Sequence, residues 1–335
     1  MPSDLSLTGA APAPLRRLLP GQNARRLALL ALLLAVSAAP YMTLGSRGNW
    51  GFVLPFRGAK LAALVLVGMA VSTSTVLFQT ITRNRILTPS IMGFDALYVM
   101  ILTGAVYLLG GHGVMRLPPT GIFVVNAGLL VLASLALFGT LLGRAGHDLM
   151  RMVLTGIIFG TLFRSLTSFL QRMIDPNEFA VIQVGSYARF TQIDTDLLAI
   201  SAVVLLAAMA AAWAMRHRLD VIALGHDAAI NLGEDPRRGQ IQALVLIAVM
   251  VSVSTALVGP VAFLGLLVVS LARLITPTPY HGVLLPSAGL TAGIVLVGGQ
   301  TLMERVLALS TPLPVIIDLA GGLVFLILLL KGLRR

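Results

Sequence analysis

The sequence contains no cysteine and few charged residues. The lack of cysteine excludes disulfide bonds, thiolate metal sites and cysteine nucleophiles within this chain. Only 11% of the 335 residues are charged, against about a quarter in typical soluble domains. Hydrophobic residues make up 57% of the chain, and the mean hydropathy is +0.93. This composition indicates an integral membrane protein.

Groups that carry bond-breaking chemistry or ion-driven pumping are also scarce. The chain has no G-x-x-x-x-G-K-[ST] phosphate loop, so it does not hydrolyse nucleotides by that route. No Ser-His-Asp set lies within an apolar run, and Asp95 and Asp318 lie near the ends of their runs. A proton relay of the kind that membrane pumps use would have few members here. We predict that the chain is not an enzyme and that a partner supplies the energy for its work.

The five histidines lack the spacing of metal ligands. They occur in or near predicted loops, without an H-E-x-x-H motif. We therefore expect solvent-exposed histidines, no metal site and no cofactor. The residues are His112, His147, His217, His226 and His281.

Ten apolar runs are long enough to cross the roughly 30 Å of hydrocarbon in a bilayer as helices. They cover residues 27–44, 59–81, 91–110, 120–142, 149–171, 195–215, 240–258, 260–276, 283–303 and 313–331. The runs are too long for barrel strands, which leaves helices as the spanning structure. The Gly259-Pro260 pair either separates two spans or kinks one, so nine spans are the alternative. The predicted fold is all-α: a polytopic membrane protein of about ten transmembrane helices.

Lys and Arg predict the orientation, because they accumulate in cytoplasmic loops. With the N-terminus inside, 16 of the 24 fall in cytoplasmic segments, seven fall outside, and Arg164 lies within the fifth run. The net charge of +11 is thus a topology signal, and without interleaved aromatic residues we expect no nucleic-acid partner. Residues 1–24 form a predicted cytoplasmic tail and residues 25–335 a single transmembrane domain, with both termini inside. Residues 27–39 alternatively read as a signal peptide with a small-residue cleavage site.

Two segments of the chain repeat one another. Residues 63–77, ALVLVGMAVSTSTVL, and residues 243–257, ALVLIAVMVSVSTAL, align without a gap, are identical at most positions and share an S-x-S-T core. In the ten-span topology these helices cross in opposite directions, which predicts an inverted repeat. Transporters are commonly built from such repeats, with the pathway between the halves. Chance similarity between apolar helices is the alternative.

Small residues and one charge mark the interiors of the runs. Glycines four apart in residues 139–143, 156–160 and 289–293 allow close helix packing. Arg164 lies among apolar and hydroxyl side chains, and a charge within a span normally faces a cavity or a partner. Alternatively, Arg164 extends to the membrane surface.

A polar, charge-dense segment, Gly225 to Arg238, stands alone between long apolar runs, and we expect a partner outside the bilayer to bind it. The stretch from Ala223 to Glu234, ALGHDAAINLGE, resembles ALGEEVARSLGV, a cytoplasmic loop motif of the permease subunits of ATP-binding-cassette importers for iron-siderophore complexes and vitamin B12 (FecCD type). In that family the loop forms two short helices, which dock in a groove of the ATPase subunit. The resemblance implies that residues 216–238 form a cytoplasmic coupling loop.

Further motifs of the family follow in order, from about Phe52 to the C-terminus. The family's R-x-P-R appears as residues 57–60, its G-P-I-x-F-x-G-L as residues 259–266 and its L-P-V as residues 313–315. Its Q…N-P-L-A-x-P…G appears as Gln79, Asn84, Pro89 and Gly93.

Departures from these motifs indicate a divergent branch of the family. Of the Pro, His and Arg that end the family's usual G-L-x-x-P-H-x-x-R, this chain keeps only the arginine, Arg273. The usual N-P-L-A is replaced by N-R-I-L at residues 84–87, and the run after Pro314 also differs from the family pattern. Residues 78–98, FQTITRNRILTPSIMGFDALY, are most similar to the branch that imports catechol-type ferric siderophores.

The resemblance implies a type II importer permease in the bacterial cytoplasmic (inner) membrane, surrounded by lipid. Expected partners are cytoplasmic ATP-binding subunits, a substrate-binding protein, a second permease subunit that is identical or related, and a ferric siderophore as cargo. The implied ATPase-coupling residues are Ala223, Leu224, Gly225, Ala228, Leu232, Gly233 and Glu234. Exposed cations at Arg57, Lys60 and Arg305 are expected to dock the binding protein, and Phe163 and Arg164 to line the translocation path.

Two alternatives stay open at this point. A permease for vitamin B12, haem or a metal ion would show the same cytoplasmic loop, because the loop contacts the motor and not the cargo. An ion-driven secondary transporter would need carboxylates or histidines within its spans, and the sequence offers few.

Overall fold

Apolar runs of this length satisfy their backbone groups in lipid as helices, and the described part of the chain is helical. The computed structural model describes residues 20–45, 48, 50–145, 149–190, 193–307 and 313–332, and no β-strand occurs in them. Their α-helices are α1 (Pro20–Thr43), α2 (Trp50–Ile81), α3 (Phe94–Leu109), α4 (Gly111–Arg116), α5 (Pro119–Ala145), α6 (Leu149–Gln171), α7 (Pro176–Gly185), α8 (Thr195–Ala214), α9 (Arg216–Ile222), α10 (His226–Asn231), α11 (Pro236–Val258), α12 (Leu264–Ile275), α13 (His281–Thr301) and α14 (Leu313–Gly332). A 3₁₀ turn, Pro89–Met92, precedes α3, and a π-helical turn, Leu302–Val306, follows α13.

Each of the ten predicted spans coincides with one of these helices. Within the described residues, six helices are long and apolar enough to cross a membrane, namely α1, α2, α5, α8, α11 and α13. Three more, α3, α12 and α14, are shorter apolar helices, and α6 covers the fifth predicted run. The all-α prediction is confirmed, and the chain is a multi-pass membrane protein.

The start of α1 differs from the expected boundary. The described part of the helix already includes residues from Pro20 onward, inside the segment predicted as a tail at residues 1–24. Residues 1–19 lie outside the described part of the chain.

The Gly259-Pro260 pair separates two helices and does not kink one. Helix α11 ends at Val258 and α12 begins at Leu264. Gly259 has a φ of +98°, and a Cβ on it would lie 2.9 Å from the Cα of Ala188, so the turn requires glycine. The 12 residues of α12 rise only about 18 Å. The non-helical segment before α12 therefore packs within the protein, where such backbone is tolerated at membrane depth.

Helix α2 lies at the centre of the bundle and α1 at its edge. In the spanning window of α2 72% of the residues are buried, against 11% in α1. Helix α2 packs against α13, α11, α12 and α8, and α1 packs mainly against α13. The polar residues of α2 therefore lie among other helices, whereas Leu29, Leu32 and Leu33 of α1 are exposed.

Two of the three small-residue motifs occur at close helix contacts. A Cβ on Gly156 would lie 3.3 Å from the Cα of Met92, and a Cβ on Gly160 would lie 3.2 Å from the Cα of Gly93, so α6 packs closely on the turn before α3. Gly289 and Gly293 of α13 face Met69 of α2 and Leu34 of α1. These contacts are the close approach that small residues permit between helices in lipid. The side chains of residues 139–143 lie outside the described part of the chain.

The repeated S-x-S-T segments meet at the centre of the bundle. Ser74 and Thr75 of α2 and Ser254 and Thr255 of α11 line one enclosed cavity of about 20 Å³, enough for about one water molecule. Each of these four residues is buried. A Cβ on Gly265 of α12 would lie 3.1 Å from the Cβ of Thr75, so a third helix closes against the same point. The repeat thus forms the packed centre of the fold.

We expect Gly93→Ala to destabilise the protein strongly. Gly93 has a φ of +96°, and a Cβ on it would lie 2.8 Å from the Cα of Gly160. A left-handed alanine costs about 1–2 kcal/mol and overpacking about 1–3 kcal/mol, so the total is roughly 2–5 kcal/mol. The measurement is the thermal midpoint in detergent. Gly104→Ala is the matched control: this glycine of α3 would place its Cβ with no atom within 4 Å. Equal midpoints for the two variants would contradict the expected strain.

Candidate functional site

The cytoplasmic loop predicted at residues 216–238 contains two short helices, α9 and α10, as the resemblance implied. Gly225, with a φ of +115°, turns the chain between them. The carboxylate of Asp235 caps α11 and accepts hydrogen bonds from the backbone N–H groups of Arg237 at 3.0 Å and Arg238 at 3.2 Å. Leu219 and Ile222 of α9 are buried. The loop is therefore a folded element with one side packed against the bundle.

The other side of this loop exposes apolar side chains. Leu224 is 64% exposed, Ile230 52% and Leu232 62%; these three residues are called the coupling patch below. Of the other predicted coupling residues, Ala223 and Gly233 are exposed, Ala228 is half-buried and Gly225 is buried. Ile230 did not figure in the sequence prediction, although it lies between the predicted residues Ala228 and Leu232. The arrangement presents a small hydrophobic surface on a polar loop.

Glu234 braces the loop internally. Its Oε1 accepts a hydrogen bond from Nε of Arg218 at 2.6 Å and lies 2.6 Å from Nη2 of the same guanidinium. Nη1 of Arg218 donates to Oε1 of Gln242 on α11 at 2.7 Å. The Glu234 side chain is only 18% exposed. This residue therefore ties α9 to the start of α11 from within the loop.

Arg57, one of the three predicted docking cations, is 7% exposed and caps the C-terminal end of α1. Its Nη1 donates to the carbonyl oxygens of Met42 at 2.9 Å and Leu44 at 2.8 Å, and its Nη2 to that of Gly45 at 3.3 Å. These carbonyls have no partner within the helix. The exposure expected of Arg57 is not found, because a buried guanidinium satisfies the end of a helix here.

The other two predicted docking cations are more accessible. Nζ of Lys60 lies 4.0 Å from the ring centroid of Phe56, and the residue is partly exposed. Arg305 is exposed in the π-helical turn, and its Nη2 lies 4.0 Å from a carboxylate oxygen of Glu304. A Cβ on Gly45 would lie 3.7 Å from Nη1 of Arg305, so Arg305 lies beside the end of α1 that Arg57 caps.

Arg164 lines an open cavity of about 400 Å³. Two carboxylates, of Asp95 on α3 and Asp318 on α14, line the same cavity. Oδ1 of Asp318 accepts a hydrogen bond from the backbone N–H of Phe263 at 3.1 Å. Other lining residues are Thr167, Ser168, Ser186, Tyr187, Pro260 and Pro314. Residues from α3, α6, α14 and the segment before α12 therefore share one cavity of mixed charge.

The two predicted path residues are separated by the geometry of α6. Phe163 packs against Phe159, with ring centroids 6.0 Å apart, and does not line the cavity that Arg164 lines. Successive residues of a helix point about 100° apart, so neighbours in sequence face different surroundings. Sequence reasoning gave Asp95 and Asp318 no role in a path, although a carboxylate within a span is itself a signal.

One histidine contradicts the expectation of solvent exposure. His281 is 3% exposed, and both of its ring nitrogens are within hydrogen-bond distance of a side chain. His112, His217 and His226 are exposed, and His147 lies outside the described residues. The sequence does not show whether a polar residue at the start of an apolar run is buried, because its burial depends on which loop covers that end of the helix. In the described part of the chain no three His, Asp or Glu side chains are grouped as for a metal ion.

Residues of the matched family motifs stabilise the turn that follows α2. Nε2 of Gln79 donates to the carbonyl oxygen of Arg85 at 2.7 Å, and its Oε1 accepts from Nη2 of Arg273 at 3.3 Å. Oδ1 of Asn84 accepts from the backbone N–H of Ile86 at 2.9 Å. The retained Arg273 thus joins α12 to the end of α2, where Gln79 also holds the turn that follows.

Comparison with known proteins identifies the family to which this chain belongs. The model of the FecCD transport family matches residues 27–331. The chain is 46% identical over 284 residues to the petrobactin import system permease protein YclO of Bacillus subtilis (strain 168), covering 85% of this chain and 90% of that protein. It is 27% identical to the hemin transport system permease protein HmuU of Yersinia pestis, over 84% of each.

A solved structure, described as an inward-facing conformation of a putative metal-chelate type ABC transporter, superposes with a TM-score of 0.78 at 22% identity. The match covers 92% of this chain and 99% of that one, which shows a shared fold. The family model spans nine of every ten residues of the chain, and relatives match over most of their length. This chain therefore belongs to the FecCD transport family.

Proposed function

We propose that this chain is the membrane-spanning permease subunit of an ABC importer that moves a ferric siderophore, of the catecholate type, into the cytoplasm. The observation that carries the proposal is the coupling patch, an exposed apolar surface on the polar loop of a membrane protein, since such surfaces mark partner sites. The names of related permeases, for petrobactin, ferric dicitrate and hemin import, support an iron-containing cargo.

The partners follow from this role. One of two cytoplasmic ATP-binding subunits binds the coupling patch, a second permease subunit completes the channel and binds the other, and a substrate-binding protein delivers the cargo. The loop that carries the coupling patch also carries exposed Arg237 and Arg238, which supports a position in the bacterial cytoplasm for this loop and for both termini. Alternating access between the two permease subunits then carries the cargo inwards.

The cavity beside Arg164 forms this chain's part of the translocation path. A ferric catecholate complex is bulky and anionic, and Arg164 supplies the cation that attracts it. Asp95 and Asp318 line the same cavity, so the arginine is needed to offset their charge. Phe163 does not line this cavity and supports the path indirectly, by packing against Phe159 on the same helix.

Lys60 and Arg305 act as the outer cations that orient the substrate-binding protein, and Arg57 supports them by holding the end of α1. We expect Lys60→Glu combined with Arg305→Glu to slow binding-protein association at least about tenfold at low salt, because rim charges act mainly on the association rate. The measurement is the association rate against ionic strength. The role is rejected when the double variant and the unmodified permease show the same rate and the same salt dependence.

Uptake of radioactive iron tests the function. We expect cells lacking this gene to lose uptake of a ferric catecholate siderophore, and an unlabelled hydroxamate complex or vitamin B12 not to compete in cells that carry it. Uptake unchanged by the deletion, with the partner genes expressed, would contradict the cargo. Uptake that persists after loss of ATP but stops when the ion gradient is collapsed would identify a secondary transporter instead.

A further inference from the structure

A hydrogen-bonded chain joins the cytoplasmic loop to the two most closely packed helices of the bundle. Oδ1 of Asp220, on α9, accepts a hydrogen bond from the backbone N–H of His281 at 2.7 Å and lies 2.6 Å from Nδ1 of the same residue. Nε2 of His281 lies 2.7 Å from Oγ1 of Thr80 in the last turn of α2. His281 is the first residue of α13. One carboxylate, one imidazole and one hydroxyl therefore connect α9, α13 and α2.

The geometry of this chain is well defined. A carboxylate accepts but does not donate, so Nδ1 carries the hydrogen of its bond to Asp220. The same carboxylate lies at the N-terminus of α13, where it binds an otherwise unpaired N–H and is favoured by the helix dipole. His281 and Thr80 are 3% and 6% exposed. Removal of any member leaves a buried donor or acceptor without its partner.

A second contact holds α9 from the other side. Arg218 bonds Glu234 and, through Nη1, Gln242 of α11. A Cβ on Gly239 of α11 would overlap Cδ1 of Ile222, so α9 also packs directly on α11. Helix α9 is thus fixed to α11 by packing and a hydrogen bond, and to α13 and α2 by the hydrogen-bonded chain through Asp220.

The coupling patch reaches the bundle by two routes, one through α9 and one through α11. Its residues follow α9 or lie on and just after α10, and α10 packs against α9 and α11. A push on the patch reaches the start of α13 through α9, which contacts it through Asp220, and reaches α2 both by this link and through α11. Oδ1 of Asp220 binds both the backbone N–H and the ring of His281. A displacement of α9 therefore moves the backbone at the start of α13 and the imidazole ring together.

We propose that Asp220 and His281 are positioning residues that transmit the movement of the ATPase from the coupling patch to α13 and α2. This inference rests on the proposed importer function. Neither residue touches the cargo cavity, and both are separate from the coupling patch. Without this link α9 pivots on its contact with α11, and ATP hydrolysis proceeds without the matching movement of α13 and α2.

The test measures ATP hydrolysis and cargo uptake together, in proteoliposomes that contain the full permease, its ATPase subunits and the binding protein. We expect Asp220→Ala to keep the complex assembled and hydrolysis within about twofold, while cargo moved per ATP falls at least about tenfold, because two buried donors lose their acceptor. Asp220→Asn keeps an accepting oxygen and restores most of the coupling. Asp196→Ala, which removes an exposed carboxylate at the start of α8, leaves the ratio unchanged.

Thr80→Val keeps the shape of the side chain and removes only its hydroxyl, so it tests the link should Asp220→Ala fail to fold. We expect cargo moved per ATP to fall about threefold or more in this variant, since one buried partner is lost. An unchanged ratio in Thr80→Val and in a folded Asp220→Ala would overturn the inference, as would hydrolysis and uptake that fall in parallel. Absence of ATP-driven uptake in the unmodified complex would instead reject the proposed function.

Discussion

Leu232→Asp is expected to abolish ATP-driven uptake by separating the permease from its ATPase subunits. Leu232 is 62% exposed in the coupling patch. Burial of a leucine in a partner's groove is worth about 1.5–3 kcal/mol, and an ionised carboxylate in the same place adds a desolvation cost. A combined loss above about 3 kcal/mol lowers affinity more than 100-fold. The measurement is co-purification of the ATPase subunits with the permease, followed by uptake.

Leu232→Met is the matched control, because it keeps an apolar side chain of similar volume and is expected to preserve both binding and uptake. We expect neither variant to change the stability of the folded protein, since the Leu232 side chain packs little against the rest of the chain. An ATPase that co-purifies normally with Leu232→Asp would show that the coupling patch is not the docking surface.

The helical fold could be predicted from the sequence because its signals are local. Runs of about 20 apolar residues predict spans wherever they occur, and all ten coincide with helices. The break at Gly259-Pro260 was ambiguous, because a local pattern does not reveal the neighbour that requires glycine. That neighbour, Ala188, lies far away in sequence.

The site residues were harder to predict because their roles depend on distant partners. Arg57 looked like an exposed cation, yet it reaches back to the carbonyls that end α1. His281 looked like a loop residue, yet Asp220 lies 61 positions earlier in the chain and covers it. Contacts between residues so far apart in the chain produce no pattern in the sequence that would reveal them. The coupling loop was different, since a charge-dense segment between apolar runs is visible without knowledge of its neighbours.

Arg164→Glu is expected to stop cargo uptake while leaving the ATPase subunits bound. The change places a third carboxylate on a cavity that Asp95 and Asp318 already line. Like charges brought together on binding cost several kcal/mol, and about 3 kcal/mol corresponds to more than 100-fold weaker binding. An anionic ferric complex would therefore be repelled from the path. The measurement is iron uptake, with ATPase co-purification recorded in parallel.

Arg164→Lys separates charge from shape, because it keeps the cation and loses the planar guanidinium. Substantial uptake with lysine and none with glutamate is the result expected of a cation that attracts the cargo. Reduced yields of folded protein for both variants would instead point to a structural pairing of Arg164 with a carboxylate of the same cavity. Uptake that survives both Arg164→Glu and Arg164→Ala would remove Arg164 from the path, and the anionic cargo would then need another cation, supplied by the second permease subunit.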